Sequence, residues 1–208
     1  MKIKDQFPDI NAIIFDLGNV IIDLDIPATD EAFKSLMGEK YDSAIAQLTN
    51  ENIFQRYEKG EISTTQFIQK IADVSSLTDK EAIKNAWNAM LLDIPPQRFE
   101  LLSNAKENYR TFCLSNTNEL HIDFIFEQLR QQNSLPNLDS FFEKVYLSHE
   151  MGMRKPDEEI FLKVIEDQQL DPQSTLFIDD TAGHLKGAKE TGLQTLHMAN
   201  GLSLELLL

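Results

Sequence analysis

The sequence predicts an α/β fold, a doubly wound parallel sheet with a small all-helical unit inserted after the first strand. Three observations predict it: short apolar runs recur along the chain, helix-like segments separate them, and no strand-like run occurs between residues 25 and 95. Buried strands that alternate with helices form parallel sheets with right-handed crossovers. Ligands bind to such sheets beyond the carboxyl ends of the strands, so polar residues at those ends are candidate site residues.

Five apolar runs are predicted as strands. Each is short and uninterrupted, which is typical of a strand buried on both faces. They cover residues 11–16, 111–116, 144–148, 175–180 and 194–198. The single cysteine, Cys113, lies in the second run and is expected to be a core residue without a disulfide partner.

Helices are predicted between these strands over residues 119–131, 158–168 and 182–190. Asn118 is expected to cap the first of them, and Gly192 follows the last.

Residues 25–95 show helical periodicity only. Two capping boxes, Ser63 with Gln66 and Thr78 with Glu81, predict helix starts within this segment. It is too short for a large domain but sufficient for a helical cap. The predicted division of the chain is therefore a core of residues 1–24 and 96–208 and a cap of residues 25–95.

The charge balance restricts the partners. The net charge is −15, which disfavours binding to nucleic acid or to an anionic membrane. We find no secretory leader or membrane-spanning run, so the protein is expected to be cytoplasmic. The leucine-rich tail, residues 202–208, is expected to pack at the edge of the core or in a dimer, and either a monomer or a homodimer is compatible with it.

Acidic residues follow two of the predicted strands. Asp16 ends the first strand and is followed by Gly18, which permits close approach of the backbone to a ligand. Asp179 and Asp180 end the fourth strand and point to opposite faces, so one could bind a metal while the other holds it in place. An all-oxygen site of this kind suits Mg²⁺.

Donors for an anion are predicted at the same edge. Ser115 and Asn116 offer a hydroxyl and an amide beside a helix N-terminus, and Lys155 supplies a fixed positive charge. A free carboxylate, a hard cation, donors and a fixed charge are together what phosphoryl transfer to a side chain requires. The residues thus predict a magnesium-dependent phosphatase that acts on a small phosphorylated metabolite.

Four segments resemble the ordered motifs of the haloacid dehalogenase-like hydrolase superfamily. They are residues 15–20 (Phe-Asp-Leu-Gly-Asn-Val), 114–117 (Leu-Ser-Asn-Thr), 154–156 (Arg-Lys-Pro) and 178–180 (Ile-Asp-Asp). The resemblance implies a Rossmann-like core with a C1-type helical cap. The first and third segments are similar to a bacterial branch that includes an α-D-glucose-1-phosphate phosphatase.

The resemblance also implies roles for the site residues. Asp16 would be the nucleophile that forms an aspartyl-phosphate, and Lys155 would balance the charge of the phosphoryl group. Ser115 and Asn116 would bind that group. The metal ligands would be Asp16, Asp180 and the backbone carbonyl of Gly18, with Asp179 acting mainly through its neighbours.

One position departs from the family pattern. Most family phosphatases have an aspartate two residues after the nucleophile as the general acid and base, whereas this chain has Gly18. Loss of such a group costs on the order of 10²–10⁴-fold in rate. We hypothesise that the substrate compensates with a good leaving group, such as an anomeric or aryl phosphate, so that turnover falls sharply from sugar 1-phosphates to sugar 6-phosphates.

Two other functions stay open on this sequence. The absent acid is compatible with a regulatory protein that binds phosphate and metal without turnover, and a phosphomutase would share the fold. Asp23 and Asp25 lie near the first loop, where they could replace the missing base or cap the first helix of the cap.

The remaining candidates are interpreted as structural. Structural or surface roles are expected for all four histidines, His121, His149, His184 and His197. Among them, His184 is the best candidate for an auxiliary proton carrier, because it lies just past the acidic pair. Aromatic and methionine residues at helical spacing in the cap, such as Phe67, Trp87 and Met90, are expected to be core.

Overall fold

The computed structural model describes residues 2–198 and residue 204. Its sheet has five parallel strands in the order β3-β2-β1-β4-β5. They are β1 (Ala12–Phe15), β2 (Arg110–Ser115), β3 (Lys144–Leu147), β4 (Thr175–Asp179) and β5 (Gln194–His197). The predicted fold class and all five predicted strands are confirmed, with strand ends within about one residue of the expected positions.

Helices connect these strands. Those with described bounds are α1 (Ile3–Gln6), α2 (Ile26–Met37), α3 (Tyr41–Asn50), α4 (Ile53–Glu58), α5 (Thr64–Ser75), α6 (Lys80–Asn88), α7 (Pro96–Asn108), α8 (Glu119–Asn133), α9 (Ser148–Met151), α10 (Glu158–Gln168) and α11 (Ala182–Glu190). Short 3₁₀ turns occupy Gly38–Lys40 and Pro172–Ser174. Asn118 caps α8 as predicted, because its side chain accepts a hydrogen bond from the backbone N–H of His121 at 3.2 Å.

Alternate residues of the central strand pack on opposite faces of the sheet. Ile13 and Phe15 belong to a hydrophobic cluster with Cys113, whereas Ala12 and Ile14 belong to a second cluster on the other face. This alternation explains why the strands read as uninterrupted apolar runs. Cys113 is fully buried and free, as expected.

Helices α2–α6, which we call the cap, have a hydrophobic cluster of their own. Phe67 lies at its centre, fully buried, and its ring contacts those of Tyr57 and Trp87. Phe67 and Trp87 are therefore core residues as predicted, and Met90 is partly buried against the cluster of the sheet.

One of the two predicted capping boxes in the cap is present. The Ser63 hydroxyl accepts from the N–H of Gln66, and the Gln66 side chain accepts from the N–H of Ser63. The second prediction was wrong: α6 is capped by Asp79 and not by Thr78. The Asp79 side chain accepts from the backbone N–H groups of Glu81 and Ala82 at 3.0 Å each. A carboxylate is the stronger acceptor at the positive end of a helix, so Asp79 outcompetes its neighbour.

The two connections between cap and sheet lie side by side. Leu24 and Leu91 form an antiparallel bridge, and the N–H of Asp25 donates to the carbonyl of Met90 at 2.8 Å. We call this pair of segments the hinge. Within the described residues, no helix has the length and apolarity needed to cross a membrane. The leucine-rich tail lies outside the described residues except for Leu204, which is buried in the core.

Candidate active site

Three carboxylates meet at the carboxyl edge of the sheet. Asp16 directly follows β1, Asp179 ends β4, and Asp180 follows it. Since β1 and β4 are neighbours, one oxygen from each carboxylate lies within 4.8 Å of the others. This hard, all-oxygen donor set fits Mg²⁺, as predicted from the sequence.

Lys155 joins two of these carboxylates. Its Nζ atom donates to Oδ1 of Asp16 at 2.6 Å and to Oδ2 of Asp179 at 2.8 Å. The third N–H donates to the carbonyl of Leu114 at 2.9 Å. Lys155 is fully buried, so an ammonium without these partners would be costly here.

Burial and the neighbouring charges set the pKa values of these groups. Burial raises the pKa of Asp16 to about 6, an effect that Asp179 adds to and Lys155 opposes. Burial alone would lower the pKa of Lys155, but the two carboxylates outweigh it and the pKa is raised. Burial acts to raise the pKa of Asp179, but hydrogen bonding to His184 and the charge of Lys155 bring it below its usual range.

Asp179 uses both carboxylate oxygens within the protein. Oδ1 accepts from the N–H of Thr181 at 2.7 Å, Oδ2 accepts from Lys155, and Nδ1 of His184 lies 3.1 and 3.0 Å from the two oxygens. Asp179 is also fully buried. Both oxygens of Asp179 are therefore occupied by contacts within the protein, and His184 contacts Asp179 directly.

Asp16 and Asp180 form fewer hydrogen bonds within the protein than Asp179 does. Oδ1 of Asp16 accepts from Lys155, and the backbone N–H of Leu17 also interacts with the carboxylate and acts to lower its pKa. Asp180 is partly exposed and accepts hydrogen bonds from the side chains of Asn19 at 2.9 Å and Thr181 at 3.1 Å. These two carboxylates are the ones with oxygen atoms available to a ligand.

The loop after β1 is held against Asp180. Asn19 has a φ of 54°, a left-handed conformation that asparagine tolerates better than most residues. Its Nδ2 donates to Asp180, and its Oδ1 accepts from the N–H of Leu24 at 3.1 Å. At Gly18 an added Cβ would lie 2.7 Å from Cδ1 of Leu24, so a larger residue would require Leu24 to move.

Ser115 and Asn116 differ in what they offer to a ligand. The Ser115 hydroxyl has no hydrogen-bond partner in the described part of the chain. The Asn116 amide, by contrast, donates to the carbonyl of Lys155 and accepts from its N–H, both at 2.8 Å. Only one amide hydrogen of Asn116 is then left for a substrate.

A cavity of about 270 Å³ opens beside these residues, between the sheet and the cap. The sheet side contributes Gly18, Ser115 and Asn116, and the cap side contributes Glu58, Trp87 and Met90. Its other walls are mainly apolar and include Leu24, Ile26 and Ile125. The volume matches a small molecule instead of a polymer.

His121 lies in the cavity wall, but its ring is occupied by contacts with other protein groups. Burial lowers its pKa to about 4, so the ring is neutral near pH 7. Its ring stacks on that of Trp87, and Nε2 lies 3.2 Å from the Trp87 carbonyl. The structural role expected for His121 agrees with this geometry. His197 lies at the sheet edge, where Nε2 is 2.8 Å from the carbonyl of Asp180.

Asp23 and Asp25 belong to the hinge. Asp23 pairs with Arg98 at 2.7 Å, and Arg98 also donates to the carbonyl of Ile21 at 2.8 Å. Asp25 is exposed at the start of α2, and its side chain forms no capping hydrogen bond. Of the two uses considered for these residues, capping of α2 is therefore not seen.

Three contacts around the site were not predicted from the sequence. They are the Asn19–Asp180 hydrogen bond, the tie between Asn116 and the Lys155 backbone, and an ion pair between Glu58 of the cap and Arg154. The Gly18-Asn19 dipeptide, which is typical of a tight turn, is the one local sequence signal that could have indicated Asn19. The Glu58–Arg154 pair joins residues 96 apart, which no local pattern indicates.

Known proteins resemble the chain over most of its length. The model of the haloacid dehalogenase-like hydrolase family matches residues 10–192. A D-ribitol-5-phosphate phosphatase of Bacteroides thetaiotaomicron is 30% identical over 194 residues, which cover 92% of this chain and 93% of that protein.

Solved structures agree with this similarity. A haloacid dehalogenase family enzyme of Bacteroides thetaiotaomicron, in complex with magnesium and inorganic phosphate, superposes with a TM-score of 0.81 at 36% identity, covering 93% of this chain and 96% of its own. A haloacid dehalogenase-like hydrolase of Porphyromonas gingivalis superposes with a TM-score of 0.82 at 32% identity, covering 93% of each chain.

These comparisons confirm the predicted family, and they agree with the predicted phosphatase class and with magnesium as the metal. Sequence motifs, sheet topology and the cluster of carboxylates lead to the same conclusion, which is that the chain belongs to the haloacid dehalogenase-like hydrolase family.

Proposed function

We propose that the protein is a magnesium-dependent phosphatase of a small sugar or polyol phosphate, with Asp16 as the nucleophile. The observation that carries this proposal is the Asp16 carboxylate, which buried Lys155 holds through Oδ1 and which lies within 4.8 Å of Asp179 and Asp180. A carboxylate that is oriented through one oxygen can use the other for attack.

In the proposed reaction, a carboxylate oxygen of Asp16 forms a bond to phosphorus while the bond from phosphorus to the ester oxygen breaks. The ester oxygen leaves with the electron pair of that bond and takes a proton from water. The Ser115 hydroxyl and the remaining N–H of Asn116 donate to the phosphoryl oxygens. Lys155 keeps Asp16 ionised and oriented through its 2.6 Å hydrogen bond. Water then attacks the aspartyl-phosphate, releases phosphate and restores Asp16.

Magnesium would be held by Asp16, Asp180 and the carbonyl of Gly18, with Asp179 bracing the site. When bound, it neutralises negative charge on the phosphoryl oxygens. The closely spaced carboxylates fit such an ion, because the single charge of Lys155 cannot neutralise three acidic groups that lie within 4.8 Å of one another.

The leaving group has no aspartic acid to protonate it, since that position is Gly18. We propose that an anomeric sugar phosphate compensates through its own leaving group, whereas the primary ester of a polyol phosphate does not. Closure of the cap over the cavity, which would exclude water, supplies part of the compensation for both kinds of substrate.

A sugar or polyol phosphate is proposed as the substrate for two reasons. The cavity holds about 270 Å³, which suits a small metabolite. A relative with 30% identity acts on D-ribitol 5-phosphate by its name. We also propose that residues 1–24 and 96–208 form the catalytic core and residues 25–95 the cap, because the hinge joins them at Leu24 and Leu91.

Hydrolysis of p-nitrophenyl phosphate with and without Mg²⁺ tests the proposal. We expect release of p-nitrophenol only with Mg²⁺, abolished by Asp16→Asn and retained by Asp42→Asn, which removes an exposed carboxylate of α3. Binding of phosphate and Mg²⁺ without release would support a regulatory binding protein instead. Transfer of phosphate to a second sugar, without free phosphate, would indicate a phosphomutase.

A further inference from the structure

We infer that Glu58 of the cap determines substrate specificity by accepting a hydrogen bond from a hydroxyl close to the phosphate ester. The inference rests on the proposed phosphatase function and narrows its substrate to phosphate esters of small polyhydroxylated alcohols. Among the described residues that line the cavity, Glu58 is the one carboxylate, and it faces a wall that includes Ser115 and Asn116.

One oxygen of Glu58 is available to a ligand. Nε and Nη2 of Arg154 lie 3.0 and 2.9 Å away, both from Oε2. Oε1 has no hydrogen-bond partner in residues 2–198 and 204. The side chain is 25% exposed, so a molecule in the cavity can reach it.

The ion pair with Arg154 also determines whether Glu58 can accept or donate a hydrogen bond. A carboxylate paired with a guanidinium accepts hydrogen bonds and has no proton to donate. It fits a hydroxyl and repels a second phosphate or carboxylate. Glu58 is therefore a specificity residue and not a replacement for the missing general acid.

The position of Glu58 is fixed by contacts on both sides. The Ser148 hydroxyl lies 2.6 Å from the Glu58 carbonyl as a donor. Two residues later, Gly60 packs directly on the carbonyl of His149, since an added Cβ would lie 2.1 Å from that oxygen. The end of α4 is thus held against the sheet domain, with Arg154 adjacent to Lys155. A carboxylate held in this way loses little entropy on binding.

Two substrates that differ only in their hydroxyl groups can measure what a substrate hydroxyl contributes to turnover. Glycerol 3-phosphate and n-propyl phosphate share a three-carbon chain and a primary ester, and only the first has hydroxyls. We expect the wild type to prefer glycerol 3-phosphate in kcat/KM by about 10-fold or more, which is what a hydrogen bond to a charged acceptor contributes. Glu58→Ala is expected to abolish most of this preference, and Glu58→Gln, which keeps one carbonyl oxygen, to reduce it partly.

Glu61→Gln is the matched control, because Glu61 carries the same charge three residues away and is exposed beside Arg56. It should keep the wild-type preference. An unchanged preference in Glu58→Ala, or an equal loss in Glu61→Gln, would overturn the inference. So would loss of a limb of the pH profile in Glu58→Gln, since that would make Glu58 a proton donor.

The design separates this inference from the proposed function. If the wild type releases no phosphate from p-nitrophenyl phosphate, the phosphatase proposal fails. If it hydrolyses that ester but shows no preference for glycerol 3-phosphate, the role of Glu58 is refuted while the phosphatase proposal stands.

Discussion

The side-chain amide of Asn116 forms two hydrogen bonds of 2.8 Å with the backbone of Lys155, one to its carbonyl and one from its N–H. Two loops that follow different strands are thereby joined at the point where Lys155 enters the site. Asn116 fixes the backbone from which Lys155 reaches Asp16, in addition to any contact with substrate.

Ser115 and Asn116 should therefore respond differently to truncation. Ser115→Ala removes a hydroxyl that has no partner among the described residues, so we expect a higher KM, a kcat/KM lower by about 10-fold, and stability within about 0.5 kcal/mol. Asn116→Ala should lower kcat and also destabilise the fold by about 1–3 kcal/mol. Steady-state kinetics and urea unfolding measure both; equal stability losses in the two variants would contradict the assignment.

Asp16→Asn should stabilise the metal-free protein. The pKa of Asp16 is raised to about 6 in the fold. The folded state then binds the proton more tightly than the unfolded state, so this contribution to stability is present at low pH and is lost as the pH rises through about 6. Ionised Asp16 costs about 3 kcal/mol near neutral pH.

Urea unfolding without Mg²⁺ tests whether Asp16→Asn raises the free energy of unfolding. We expect Asp16→Asn to be more stable than the wild type by about 1–3 kcal/mol near pH 7.5, and the difference to be smaller near pH 5. Added Mg²⁺ should stabilise the wild type more than the variant. A wild type as stable as Asp16→Asn without metal would show that Asp16 is not strained by its burial.

Lys155→Met should be strongly destabilising. It leaves Asp16 and Asp179 without the cation that bridges them, and loss of one partner of a buried pair costs about 3–5 kcal/mol. Lys163→Met is the control, since that exposed lysine pairs with Asp167 on α10 and should cost less than about 1 kcal/mol. Thermal unfolding with and without Mg²⁺ compares them; similar losses in both variants would argue against the buried bridge.

Gly18→Asp tests the departure from the family pattern. Alone it should destabilise the protein, because its Cβ would lie 2.7 Å from Cδ1 of Leu24. Combined with Leu24→Ala, which vacates that space, it should raise turnover of sugar 6-phosphates by about 10-fold or more and that of p-nitrophenyl phosphate much less. Leu24→Ala alone is the control. An equal gain on both substrates would mean that the new aspartate does not act by protonating the leaving group.

Asp23→Asn should leave the pH profile of hydrolysis in place. Asp23 pairs with Arg98 at the hinge, so we expect it to position the loop after β1 instead of moving a proton. Its loss should change kcat and KM by a few-fold at most, and a rate profile across about pH 5–9 measures the outcome. Loss of the acid-side limb would identify Asp23 as the missing base.

The sequence predicted the sheet and the meeting of Asp16 with Asp179 and Asp180 for one physical reason. Strands buried on both faces read as apolar runs, and parallel strands bring their polar ends to one edge. The ends of β1 and β4 are then neighbours because of the strand order, independently of how the cap packs.

Contacts that depend on packing could not be predicted in this way. The Glu58–Arg154 pair exists because the end of α4 docks on the sheet domain, and the orientation of the Asn116 amide depends on where the Lys155 backbone lies. At α6, Thr78 and Asp79 are neighbouring residues that can both cap a helix, and residue spacing alone did not indicate that the carboxylate of Asp79 caps it.

The hinge has a consequence for how the chain tolerates change. Because Asp25 and Met90 are already hydrogen-bonded neighbours, the chain leaves and returns to the sheet at one point. Residues added to or removed from the tips of the cap helices would leave the spacing of β1 and β2 unaltered. The carboxylates at the edge of the sheet and the surface that the cap presents to the cavity can thus diverge independently within a single polypeptide.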